Sequence, residues 1–83
     1  MAYKPAFTER IRKELAFRRK KDRIVYVQVI KKISEILENP LIGKPQRAPL
    51  VGIRRFHIGS LVITYKINEE ANEVIFTSFE HHE

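Results

Sequence analysis

The stretch PLVGIRRFHIGSLVITYKIN, from Pro49 to Asn68, decides the fold. It contains two apolar-rich runs, 52–58 and 61–67, joined by Gly59-Ser60. A two-residue connection with glycine first suits a primed turn, because glycine adopts the positive φ that such turns require. The stretch therefore predicts a β-hairpin. Side chains alternate along a strand, so Arg54, Phe56 and Ile58 share one face and Ile53, Arg55 and His57 the other. Phe56 and Ile58 mark the core side. Arg55 and His57 then become neighbours on the surface that faces away from it.

Working outward, residues 2–7 read as a first strand, and Thr8 suits the N-cap of a helix carrying Ile11 and Leu15 four residues apart and running to about Lys20. Arg18-Arg19-Lys20-Lys21 follows at the helix C-terminus, where the macrodipole tolerates positive charge, and Asp22 is placed to cap a second helix. That second segment is β-branched over 24–30 and reads as strand by propensity alone. Periodicity decides for a helix over 22–38: Tyr26, Ile30, Ile33 and Leu37 recur at offsets of four, three and four, with Val29 and Ile36 widening the stripe. Asn39-Pro40 ends it, and Gly43, Pro45 and Pro49 mark a loop. Residues 68–72 form a polar turn before a last strand at 74–79, whose two faces are both partly apolar.

The order is a strand, a helical hairpin, then a three-stranded antiparallel meander against which both helices pack, an α+β fold. The first strand must join the sheet to satisfy its backbone groups, at a position that composition does not show. A chain of 83 residues makes a single domain, 1–83, with no room for a second core or a deep active site. No apolar run approaches the roughly 20 residues of a membrane span, and the start Met-Ala-Tyr-Lys-Pro lacks a signal-peptide core. With no cysteine, disulfides and thiolate metal sites are excluded. The expected setting is the cytoplasm, with no membrane partner.

Charge is the strongest compositional signal: 16 Lys plus Arg against 10 Asp plus Glu, a net +6. All the basic residues but Lys4 and Lys66 lie between Arg10 and Arg55, while Glu69, Glu70, Glu73, Glu80 and Glu83 crowd the C-terminal end. One region should be strongly positive, which points to polyanionic partners. The alternative is the Lys- and Glu-rich surface of a heat-adapted protein. At the tip of the helical hairpin, Arg18, Arg19, Lys20, Lys21 and Arg23 are dense enough to hold RNA phosphates. Aromatic interleaving of the kind that stacks single-stranded bases is absent there, so sequence readout is not expected.

Several short features recur in order: the Tyr3–Phe7 strand, the helix end Ile33-Ser34-Glu35-Ile36-Leu37-Glu38-Asn39-Pro40, the Gly43-Lys44-Pro45 loop, and Gly52-Ile53-Arg54-Arg55-Phe56-His57-Ile58-Gly59 running on to Tyr65. In that order and spacing, across nearly the whole chain, they resemble the RelE and ParE superfamily of small bacterial and archaeal toxins from toxin–antitoxin pairs, and an archaeal or thermophile RelE-like member in particular. The resemblance implies a RelE-like fold and a cognate antitoxin that covers the toxin. It also implies ribosome-dependent cleavage of messenger RNA, in which the RNA's own 2′-hydroxyl attacks the adjacent phosphate without a metal.

Such chemistry needs a group to take the hydroxyl proton and cations to stabilise the charge developing on phosphorus. The family's hairpin cations fall on Arg55, suited to a charge-assisted phosphate contact, and His57, a candidate proton-transfer group because the unperturbed pKa of a histidine lies near neutral. His81 and His82 fall near the family's C-terminal acid–base positions and otherwise read as a solvated end. Lys44, Arg47 and Arg54 are RNA-contact candidates; Arg54 reads equally as a packed stem with its head in water. Tyr65 continues the Leu61, Ile63 stripe and reads first as packing. Adjacent histidines in a strand point to opposite faces and no third ligand accompanies them, so no metal, cofactor or small-molecule substrate is expected.

Two departures matter. The family's second hairpin strand starts Tyr-Arg where this chain has Leu61-Val62, and no tyrosine follows the terminal histidines. These departures keep a second reading open: a ParE-like protein that binds and inhibits DNA gyrase, or a catalytically silent RelE homologue that binds RNA.

Overall fold

The computed structural model describes residues 2–81, His81 by its backbone alone. Strand β1 (Lys4–Phe7) leads into helices α1 (Glu9–Lys21) and α2 (Arg23–Glu38), a single 3-10 turn (Pro40–Ile42), and strands β2 (Lys44–Pro45), β3 (Ile53–Ile58), β4 (Leu61–Asn68) and β5 (Glu73–His81). One five-stranded sheet has the order β1-β5-β4-β3-β2. The meander is antiparallel as expected. β1 lies parallel to β5, Lys4 opposite Glu73, so it closes the far edge.

The caps act where the sequence places them. The Thr8 hydroxyl accepts from the Ile11 N–H at 3.3 Å and donates to the Thr77 carbonyl at 2.8 Å, tying the start of α1 to β5. Asp22 Oδ1 accepts from the Val25 N–H at 3.3 Å and starts α2. Asn39 ends α2 through its N–H to the Glu35 carbonyl (3.1 Å), and its side chain opens the 3-10 turn at Leu41.

Packing overrides propensity in α2. Val29, Ile33 and Ile36 are buried against Ile11 of α1 and Ile58, Leu61, Ile63, Tyr65, Val74, Phe76 and Phe79 of the sheet. The helix is rotated from the expected stripe: Ile30 is 39% exposed and Tyr26 only half-buried, while Val29 takes the central position. A row through Val25, Val29, Ile33 and Ile36 follows the offsets of four, four and three that put one line of side chains over the sheet.

Two elements escaped the sequence. Lys44-Pro45, read as loop, pairs with β3 as a fifth strand, Lys44 opposite Arg55 and Pro45 opposite Arg54. The other is a β-bulge: Thr64 pairs with Ser78 but Tyr65 with Phe76, leaving Thr77 as the extra residue. The bulge shifts the alternation by one. That shift lets Phe76 and Phe79, three residues apart, both reach the core.

The hairpin behaves as its turn chemistry requires. Gly59 has φ of +61° and Ser60 is not left-handed, the pattern of a II′ turn. Both sheet edges carry Lys-Pro, Lys4-Pro5 and Lys44-Pro45, a combination that blunts edge pairing through charge and a missing N–H donor. Among the described residues no helix is long and apolar enough to cross a membrane.

Candidate functional site

The sheet divides into two faces. Arg54–Tyr65, Phe56–Ile63–Phe79 and Ile58–Leu61 are cross-strand partners on the helix-covered face. The opposite face carries the row Lys44–Arg55–Thr64–Ser78 and, beside it, the row His57–Val62–Glu80. Directly opposed residues on neighbouring strands have Cβ atoms roughly 5 Å apart, so Lys44, Arg55 and His57 form one cationic corner.

A buried latch places Lys44 there. The Tyr65 hydroxyl donates to the Pro40 carbonyl at 2.6 Å and accepts from the Gly43 N–H at 2.9 Å. Arg54 Nη1 donates to the Gly43 carbonyl at 2.6 Å and, more weakly, to that of Leu41 at 3.4 Å. Two side chains from the covered face thus clamp the segment 40–43, which delivers Lys44 into register with Arg55 on the open one.

Burial pushes the Tyr65 hydroxyl above its ordinary pKa, with the Gly43 N–H and the Arg54 charge pulling partly back. A folded-state pKa above the unfolded value of about 10 stabilises the fold at every pH below that value, and the contribution is lost as pH rises through it. The expected outcome in urea unfolding is a stability that declines above about pH 10. Tyr65→Phe should lack Tyr65's share of that decline. At neutral pH the same variant should be less stable by about 1–3 kcal/mol, because Pro40 and Gly43 lose their buried partner.

The open-face cations line shallow depressions rather than a deep pocket. One, of about 260 Å³, is walled by Lys44, Gln46, Arg55 and His57. A second, of about 360 Å³, adds Pro45 and Arg47 to Lys44, Gln46 and Arg55. Among the described residues no carboxylate lines either. The nearest acidic residue by register, Glu80, is held by Arg10 at 3.0 Å. Lys44 and Arg55 thus give this corner a positive charge suited to an anion with several oxygens.

Next to Arg55 lies a cluster of hydroxyls. Thr64 Oγ1 is 2.7 Å from Thr77 Oγ1 and 2.9 Å from Ser78 Oγ. Thr64 is legible in the sequence, since it follows Val62 at period two. Thr77 and Ser78 are not, because the bulge that brings both onto this face leaves no local sign. Gln46, which lines both depressions, was likewise missed with the strand beside it.

The other predicted residues divide sharply. Arg55 and His57 lie together on the open face, with Lys44 and Arg47 beside them. Arg54 faces the other way and is engaged by backbone carbonyls, so it stands apart from this corner. At the helical tip Arg19, Lys20, Lys21 and Arg23 are exposed. Arg18 is not: its guanidinium sits 5.9 Å from the Phe79 ring centroid and 3.8 Å from Asp22, with 18% of its side chain accessible. Neither of the two depressions of the corner is lined by a residue of that tip. His81 ends β5 opposite Leu61, one residue past the row of His57; its side chain and His82 lie outside the described residues. Val62, the position where the resemblance leads one to expect arginine, is 5% exposed. Among the described residues no group of His, Asp and Glu could hold a metal ion.

Comparison with known proteins matches this geometry to a family. The model describing the ParE toxin of type II toxin–antitoxin systems, parDE, matches residues 6–83. A putative RelE4 toxin of Methanocaldococcus jannaschii is 37% identical over 65 residues, covering 77% of this chain and 69% of the relative. The toxin of the RelBE2 toxin–antitoxin complex from Mycobacterium tuberculosis superposes with a TM-score of 0.85 at 25% identity, over 99% of this chain and 93% of the other. The isolated Escherichia coli RelE toxin does so with a TM-score of 0.81 at 27% identity, over 99% and 86%. The chain is a member of the ParE toxin family within the RelE/ParE superfamily, a toxin of a type II toxin–antitoxin system.

Proposed function

We propose that this toxin is a metal-independent endoribonuclease that cuts messenger RNA on the ribosome, with Arg55 and Lys44 holding the scissile phosphate and His57 moving a proton. The observation that carries this reading is one depression in which Lys44, Arg55 and His57 meet, with no carboxylate among the described residues that line it. In the reaction, a 2′-oxygen forms a bond to phosphorus, its proton passing to a base. The bond from phosphorus to the 5′-oxygen breaks, and that oxygen takes up a proton. A cyclic 2′,3′-phosphate and a 5′-hydroxyl result. Charge accumulates on the non-bridging oxygens in between, where fixed cations act most strongly. His57 is the candidate for one of the two proton transfers; His81 or His82 is the candidate for the other.

By likeness to the mycobacterial toxin–antitoxin complex, the chain is held in check in the cytoplasm by a cognate antitoxin. Arg19, Lys20, Lys21 and Arg23, on a separate surface, would serve as contacts to ribosomal RNA.

Val62 favours one second reading. An apolar, buried residue in the position of the family's phosphate arginine suits a ParE-like toxin that acts by binding DNA gyrase. The two readings separate in paired assays: cleavage of messenger RNA on programmed ribosomes, and inhibition of gyrase supercoiling. Ribosome-dependent cuts that are lost in the Arg55→Ala and His57→Ala variants support the nuclease. Inhibited supercoiling without cutting by the well-folded wild type supports the binder.

A further inference from the structure

His57 is a wall of two depressions, not one. Besides the corner it shares with Lys44, Gln46 and Arg55, it borders a cleft of about 440 Å³ whose other walls are Gln28, Lys31 and Lys32 of α2 and Ile58 and Gly59 of the hairpin turn. Among the described residues that cleft too has no carboxylate in its lining. Among the described residues the basic side chains therefore continue from Arg47 and Lys44, past Arg55 and His57, to Lys31 and Lys32 in the middle of α2. Lys32 is anchored for the purpose: its Nζ lies 5.6 Å from the Phe56 ring centroid and 3.3 Å from Glu35. Lys31, beside it, is exposed.

We infer that α2 forms the second half of the RNA surface, with Lys31 and Lys32 contacting backbone phosphates of single-stranded RNA that continues past the nucleotide held at Arg55. This rests on the reading of the hairpin corner as an RNA site. The chemistry suits a strand, not an isolated phosphate: cations spaced along a shallow, open track neutralise successive charges, and amide side chains such as Gln28 and Gln46 hydrogen-bond without imposing sequence. A protein segment is the less fitting occupant, since Ile58 is the one apolar side chain among the described lining residues, set beside Lys31 and Lys32.

The test is the salt dependence of binding to a fluorescent single-stranded RNA of about 12 nucleotides, within the usual range of single-strand site sizes. Each phosphate contact contributes about −0.7 to the slope of log affinity against log salt. Lys31→Gln should make the slope shallower by about 0.7, and Lys31→Gln with Lys32→Gln by about 1.4. A charge-matched control, Lys4→Gln with Lys13→Gln on β1 and α1, should leave it unchanged. An unaltered slope in the α2 variants, with a shallower one in Arg55→Ala, overturns this inference and leaves the hairpin reading standing. An equal change in the control overturns it as mere net charge. A slope indifferent to Arg55 as well, or no binding by the wild type, overturns both.

Discussion

Arg55→Ala is expected to lower RNA cleavage by about 10²–10³-fold, the usual cost of removing one fixed group that stabilises transition-state charge. Its stability should stay within about 0.5 kcal/mol of wild type, because Arg55 lies on the uncovered face, away from the core, and has no ion-pair partner among the described residues. The neighbouring variant, Arg54→Ala, should give a different pattern. It leaves the Gly43 carbonyl without its 2.6 Å donor, and a part-buried carbonyl that loses a charged partner costs about 1–3 kcal/mol. Its cleavage defect should be small by comparison and arise from a loosened Lys44. Two adjacent arginines, one measured by cleavage rate and the other by urea midpoint, thus test which face carries the chemistry. Equal cleavage losses with equal stabilities would contradict the assignment.

Among the three glycines, Gly43→Ala is the substitution expected to meet the tightest packing. A Cβ at this position would meet the Tyr65 hydroxyl well inside contact distance, with the ring carbons Cζ and Cε1 at 2.8 and 2.9 Å. The backbone itself is ordinary, with φ of −75°, so the cost is steric. Tyr65 is fully buried among the packed residues of the sheet and helices, so the ring has no free space into which to retreat. Overpacking of this kind costs about 1–3 kcal/mol, and displacement of the hydroxyl adds the loss of its bonds to Pro40 and Gly43. A combined loss of about 3 kcal/mol lowers the melting temperature by roughly 12–24 °C in a domain of this size. Tyr65→Phe in the same chain should not restore it, because the ring carbons remain. Recovery of wild-type melting in that double variant would show that the hydroxyl alone was in the way.

The sequence was most legible where local chemistry and periodicity agree. Thr8, Asp22 and Asn39 announce their caps, Gly59-Ser60 its turn, and the hairpin's alternation separates Arg55 from Arg54. Period also prevailed over propensity in α2, where β-branched residues pack as a helix because Val29, Ile33 and Ile36 must cover the sheet. What stayed hidden depends on contacts distant in sequence. Lys44-Pro45 carries no strand signal; it becomes a strand because Arg54 and Tyr65, from the hairpin that follows, fix the segment before it. The rotation of α2 is set by the sheet's surface and not by the helix's own stripe. The Thr77 bulge shows no local cue, and with it the hydroxyl cluster beside Arg55 was out of reach. Likewise nothing in the sequence sets Lys31 and Lys32 apart; the fold places them on one cleft with Ile58 and Gly59.

The most direct measurement of the central claim is the chemistry of the ends that the purified toxin leaves on messenger RNA bound to programmed ribosomes, compared between wild type and Arg55→Ala in the absence of divalent-dependent nucleases. Attack by the neighbouring 2′-hydroxyl at the corner of Lys44, Arg55 and His57 predicts a cyclic 2′,3′-phosphate upstream of the cut and a 5′-hydroxyl downstream, with yield falling about 10²–10³-fold in the variant. A 5′-phosphate product, cuts that persist undiminished in Arg55→Ala, or intact messenger after incubation with well-folded toxin would contradict it.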